Sequence, residues 1–116
     1  RISIPKLGFA EFHPFSISSS PHQDIVTLHI RVLGSWTRRL RKLAEKESEV
    51  PFLMEGPYGR NAVDIDNFDR YKAALFFSGG IGVTPMYSVA NTLLHQVEHG
   101  ERRNMKKIKF IWNIRN

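Results

Sequence analysis

The sequence predicts two joined pieces, a mainly β region over residues 1–69 and an α/β unit over 70–116. Three patterns carry that expectation. In residues 24–33, Val26, Leu28, Ile30 and Val32 alternate with Thr27, His29 and Arg31, the period of a half-buried strand. Residues 73–78 form a continuous, almost wholly apolar run, as expected of a strand in a parallel sheet covered on both faces. After a glycine-rich turn, Met86, Val89, Ala90, Leu93, Leu94 and Val97 share one side of a helix.

The remaining elements follow from local signals. Residues 37–47 read as a short basic helix with Leu40, Leu43 and Ala44 on its apolar side and Arg41 and Glu45 as an i,i+4 pair. Residues 51–55 read as a short strand ended by Gly56-Pro57. Residues 60–72, with Asp64, Asp66, Asn67 and Asp69, read as a polar linker. Gly100 is the expected helix stop, and residues 108–114 the second strand of a βαβ unit.

Composition excludes several function classes. Apolar residues at 41% and charged residues at 24% are a globular balance, which sets aside disorder. Cysteine is absent, so no disulfide framework, thiolate nucleophile or cysteine-ligated metal is possible. The five histidines are read as lacking a His-x-x-x-His or similar ligand spacing, so no metal site is expected. The N-terminus opens on strand-like sequence, so no signal peptide is expected. The uncharged stretch 73–94 is interrupted by Gly79, Gly80, Gly82 and Pro85, whereas a membrane-spanning helix needs about 20 uninterrupted apolar residues. Seventeen basic against eleven acidic residues leave a net charge of +6. Basic clusters at Arg38, Arg39, Arg41 and Lys42 and at Arg102, Arg103, Lys106, Lys107 and Lys109 read as solvated surface; a basic nucleic-acid or lipid binder is the rival class.

Two segments carry the chemistry. Ser78-Gly79-Gly80-Ile81-Gly82-Val83-Thr84-Pro85 follows a strand and opens a helix, where close backbone approach and free N–H groups suit a phosphate. Thr84 is placed to cap the helix and Pro85 to occupy its first turn. Pro85 stands where the dinucleotide fingerprint has its third glycine, so a standard dehydrogenase turn is not expected. The second segment, His13-Pro14-Phe15-Ser16, offers a flat aromatic face beside a small hydroxyl. A ligand-free turn and an ordinary Ser-rich strand end are the plain alternatives.

Taken in order, His13-Pro14-Phe15-Ser16, His29-Ile30-Arg31, Gly34-Ser35-Trp36-Thr37, Gly56-Pro57-Tyr58-Gly59 and Gly79-Gly80-Ile81-Gly82-Val83-Thr84-Pro85 resemble the cytosolic dehydrogenase region of the NADPH oxidase and ferric reductase superfamily. More distantly the chain is similar to ferredoxin–NADP reductases. The resemblance implies the C-terminal part of an FAD-binding β-barrel followed by the first βαβ unit of a nucleotide-binding domain, in a chain that is a fragment. It implies FAD and NADPH as cofactors, NADH being disfavoured, and haem in a membrane domain of the same polypeptide. Hydride would pass from NADPH to FAD, and electrons on to oxygen or a ferric chelate, at the cytosolic face of a membrane.

By the same resemblance His13, Pro14, Phe15 and Ser16 line the flavin, Ser16 near its N5 edge as the catalytic position. Arg31, Trp36 and Thr37 hold the FAD pyrophosphate, and Gly56, Pro57, Tyr58 and Gly59 turn beside both cofactors. Gly79, Gly80, Ile81, Gly82, Val83, Thr84 and Pro85 hold the NADPH pyrophosphate and nicotinamide side, and the basic Arg115 favours the 2′-phosphate of NADPH. No metal or nucleic acid is expected. A non-catalytic nucleotide-binding module is the alternative, and exposed sheet edges would favour a homodimer.

Overall fold

The computed structural model describes residues 1–59, 64–67 and 70–114. The chain forms two compact units: Arg1–Phe15 with Ile30–Gly59, and Ser16–His29 with Arg60–Asn116.

The first unit contains β1 (Ile2–Ser3), α1 (Ser35–Ala44) and β2 (Leu53–Met54). β1 pairs antiparallel with β2, Ile2 opposite Met54 and Ser3 opposite Leu53. Ile2 also exchanges two main-chain hydrogen bonds with His13, each 2.9 Å. Ile2, Ile4 and Trp36 are the buried apolar residues here. α1 starts two residues earlier than its apolar pattern predicts, because Thr37 ties the entry. Its Oγ1 accepts from the Leu33 and Gly34 amides at 3.0 Å each and donates to the Gly34 carbonyl at 3.1 Å. The helix stops at Ala44 rather than at 47, as the Lys46 and Glu47 amides both turn back to the Leu43 carbonyl. The expected Arg41–Glu45 pair forms at 3.1 Å. The strand expected over 51–55 shrinks to two residues.

The second unit contains β3 (Ala73–Gly79), a single 3₁₀ turn (Gly80–Gly82), α2 (Val83–Glu98) and β4 (Lys107–Asn113). β3 and β4 are parallel, with Phe76 opposite Phe110 and Ser78 opposite Trp112, so the predicted βαβ unit is present. Phe76, Leu93 and Met105 form its core, packed by Met86, Val89, Ile108 and Phe110. Gly100, at φ +74, follows α2 as the expected stop.

Three expectations are corrected. β3 is covered on one face only: Phe76 is buried, whereas Leu75 and Phe77 are 54% and 64% exposed. Among the described elements α2 is the one that packs on this sheet, so alternate residues of an apolar strand are left open. The strand expected over 24–33 does not form; Leu28 makes one bridge with Ile17, and Ile25 and Leu33 are exposed. Alternation marks a strand only where a partner supplies the ladder, and among the described residues Ile17 alone does so. Arg102 is not solvated but 2% exposed, donating from Nε to Gln96 Oε1 at 2.6 Å and from Nη2 to the Ile65 carbonyl. The described residues form two two-stranded sheets and no barrel, since a pairing two residues long cannot close one.

Candidate functional site

In the first unit Trp36 is the floor of an aromatic cluster. Its buried ring lies 4.1 Å from the His13 ring and 5.9 Å from that of Phe15, inclined to them by 32° and 29°. α1 delivers Trp36 inward from its second position, and the Ile2–His13 pairing fixes His13 above it. His13 Nε2 meets Glu11 Oε1 at 3.1 Å, and Phe15 is half-buried, leaving part of a flat aromatic surface open. Pro14 beside it is exposed.

Arg31 belongs to the same unit; it is exposed and pairs with none of the described residues. Just downstream the first turn of α1 begins at Gly34, which has no capping side chain. The amides of Ser35, Trp36 and Thr37 therefore lack acceptors among the described residues. A Cβ added at Gly34 would meet nothing within 4 Å, so the approach to these amides is open. The Thr37 hydroxyl is consumed by its bonds to residues 33 and 34, and the buried Trp36 Nε1 has no partner among the described residues. Any contact of these two with a phosphate would therefore run through their main chain. A free guanidinium, open helix-end amides and an aromatic face together fit a ligand with a flat ring and a pyrophosphate, as FAD has.

Gly56, Pro57, Tyr58 and Gly59 also lie in the first unit. Gly56 at φ +126 and Gly59 at φ +95 occupy backbone regions that favour glycine, and the Gly56-Pro57 bond is cis. Tyr58 is exposed, with the Arg1 guanidinium 5.5 Å from its ring centroid.

The glycine-rich turn lies in the second unit, as does the exposed Ser16. Gly79 is extended, Gly80 has φ +50, and a Cβ at Gly79 or Gly82 would meet nothing within 4 Å. At Gly79 and Gly82 the turn is thus open to close backbone approach, which fits a nicotinamide dinucleotide pyrophosphate. Thr84 does not cap α2. It is buried inside the first turn and donates to the Ile81 carbonyl at 3.2 Å, because the 3₁₀ turn runs straight into the helix from Gly82. Pro85 sits in that first turn as expected, where its missing N–H is not needed. Arg115 lies outside the described residues.

One cluster was missed in the sequence, although its signal was there: His95 and His99 stand at the i,i+4 spacing of helical ligand pairs. At the C-terminal end of α2, where His99 is the capping residue, their rings lie 4.0 Å apart and tilted, and His22 stacks on His95 at 3.9 Å, nearly parallel. Ser20 Oγ donates to the Ser88 carbonyl at 2.9 Å and Ser88 Oγ to the Ser19 carbonyl at 2.7 Å, stitching the His22 segment to α2. The face-to-face His22 and His95 rings do not converge their nitrogens, and no three-residue metal cluster exists among the described residues. Burial first, then repulsion from His22 and His99, lowers the His95 pKa below the ordinary imidazole range, against Glu101 and Glu98. The folded pKa lies below the unfolded one, so this contribution is present above pH ~6.5 and is lost as the unfolded chain takes up its proton below that. The expected result is a denaturation midpoint that falls between pH ~7.5 and ~5.5 more steeply in the native chain than in a His95→Gln variant. Equal slopes would remove His95 from the pH dependence.

Comparison with known proteins shows the family. The chain belongs to the FAD-binding domain family, which matches residues 1–62, and residues 71–116 match the ferric reductase NAD binding domain. It is 36% identical to dual oxidase 2 of Rattus norvegicus and to dual oxidase 1 of Homo sapiens, over 99% of this chain and 8% of each relative. It is 32% identical to NADPH oxidase 1 of Mus musculus, over 98% of this chain and 19% of that protein. The chain thus spans a small part of the relatives it matches, and no helix of the described residues is long and apolar enough to cross a membrane.

Proposed function

We propose that this chain is the cofactor-holding part of an NADPH oxidase-type flavoprotein oxidoreductase, placing NADPH to reduce FAD. The observation that carries the reading is the first-unit cluster: an unpaired Arg31 ahead of three uncapped α1 amides, in the unit whose aromatic floor is His13, Phe15 and Trp36. Arg31 and the Ser35, Trp36 and Thr37 amides would bind the FAD pyrophosphate, a dianion matched by a fixed positive charge and aligned N–H groups. Phe15 would orient the isoalloxazine, with Ser16 at its N5 edge. The Gly56, Pro57, Tyr58 and Gly59 turn would bound the site.

Gly79, Gly80, Ile81, Gly82, Val83, Thr84 and Pro85 would hold NADPH, and Arg115 its 2′-phosphate. When bound, FAD accepts hydride and releases single electrons; the chain's own residues bind, orient and exclude water. No side-chain nucleophile or general base is required. On this reading residues 1–69 are the later part of a ferredoxin reductase-type barrel. Electrons leave for haems in a membrane region of the same polypeptide and reach oxygen or a ferric chelate, from a site on the cytosolic side. The names of the relatives and of the matched NAD-binding family support that direction.

The test is anaerobic addition of NADPH to the chain equilibrated with FAD. Loss of the oxidised flavin's visible absorbance, faster than with free FAD, is expected. Bound FAD that NADPH leaves oxidised would overturn the enzymatic reading.

A further inference from the structure

The glycine-rich turn is fastened from outside its own sequence. Trp112, one residue before the end of β4, donates its indole Nε1–H to the Gly80 carbonyl at 2.9 Å. Ser78 stands opposite Trp112 in the parallel pair, so the indole reaches from the neighbouring strand to the residue where the turn begins. Thr84 Oγ1 fastens the next carbonyl, that of Ile81.

This bond has a directional consequence. Gly80 at φ +50 lies where glycine moves freely, and its carbonyl accepts from two donors, the Val83 N–H inside the 3₁₀ turn and the Trp112 indole from outside it. A trans peptide is planar, with its C=O and N–H on opposite sides. The Val83 N–H and the Trp112 indole together fix the Gly80 oxygen and so aim the Ile81 N–H the other way, Trp112 being the side-chain part of that clamp. Trp112 is 53% exposed, so burial alone does not dictate the orientation of its indole, and water is an available alternative acceptor.

We propose that Trp112 is a positioning residue for the dinucleotide: it holds the Gly80–Ile81 peptide with the Ile81 N–H presented to the pyrophosphate. This rests on the reading of the turn as the NADPH site. A purely structural Trp112 would stabilise the sheet edge without affecting the nucleotide.

The test uses ¹⁵N-labelled chain, NADP⁺ as probe and Trp112→Phe, which keeps an aromatic ring and removes the donor. The variant is expected to bind NADP⁺ about five-fold more weakly, the value of one neutral hydrogen bond, with unchanged affinity for FAD. Its Ile81 amide resonance should shift before any ligand is added. In the native chain, NADP⁺ should slow hydrogen exchange at the Trp112 indole, a readout that stands even if the variant fails to fold. Equal NADP⁺ affinity in the two proteins, or an indole whose exchange NADP⁺ leaves unchanged, would overturn the positioning role alone. Failure of the native chain to bind NADP⁺ would overturn both that role and the nucleotide-site reading.

Discussion

Phe76→Ala is expected to cost about 3–5 kcal/mol, the range for emptying a buried phenylalanine site. Phe76 is 8% exposed, stacks 5.7 Å from Phe110, and joins Leu93 and Met105 as the core of the second unit. Among the described residues β3 has one covered face, so no second layer closes over the gap. The loss is comparable with the roughly 5–15 kcal/mol that holds a typical domain together. Urea unfolding monitored by circular dichroism measures it. Leu75→Ala, on the open face of the same strand, should change stability by no more than about 0.5 kcal/mol. Similar costs for the two variants would mean that the Leu75 face is also covered.

Arg31→Ala should weaken FAD binding by about 10- to 100-fold, the value of a hydrogen bond to a charged group of roughly 1.5–3 kcal/mol. Arg31 has no competing partner among the described residues, so its loss should leave the fold intact. The remaining binding should rest on the α1 amides and the aromatic floor, and should be less sensitive to salt. Flavin polarisation measures this. An unchanged affinity would detach Arg31 from the pyrophosphate.

How much of this was legible beforehand depends on what each residue needed. The βαβ unit was readable because its strand, turn and helix signals are local: an apolar run, Gly79 to Gly82 in sequence, and helical spacing from Met86 to Val97. The strand expected around Leu28 failed because a strand is defined by its partner, and alternation shows only a face. The start of α1 was misplaced because the bond from Thr37 back to Gly34, rather than Leu40 or Leu43, decides it. The motif order pointed to the family, and the family matches bear that out. Motifs could not show that Trp36 is buried beneath His13, that the Thr37 hydroxyl is consumed at the helix entry, or that Trp112 holds Gly80. Each of those is a long-range contact or a competition for one hydrogen bond. The histidine stack needed only the i,i+4 spacing on α2 for its first pair, but His22 joins through tertiary folding.

Titration of FAD against this chain, followed by flavin polarisation, tests most directly whether the first unit holds the flavin. Saturable one-site binding, weakened by salt and by Arg31→Ala, is the expected result. Absence of saturable binding by the folded chain would contradict it.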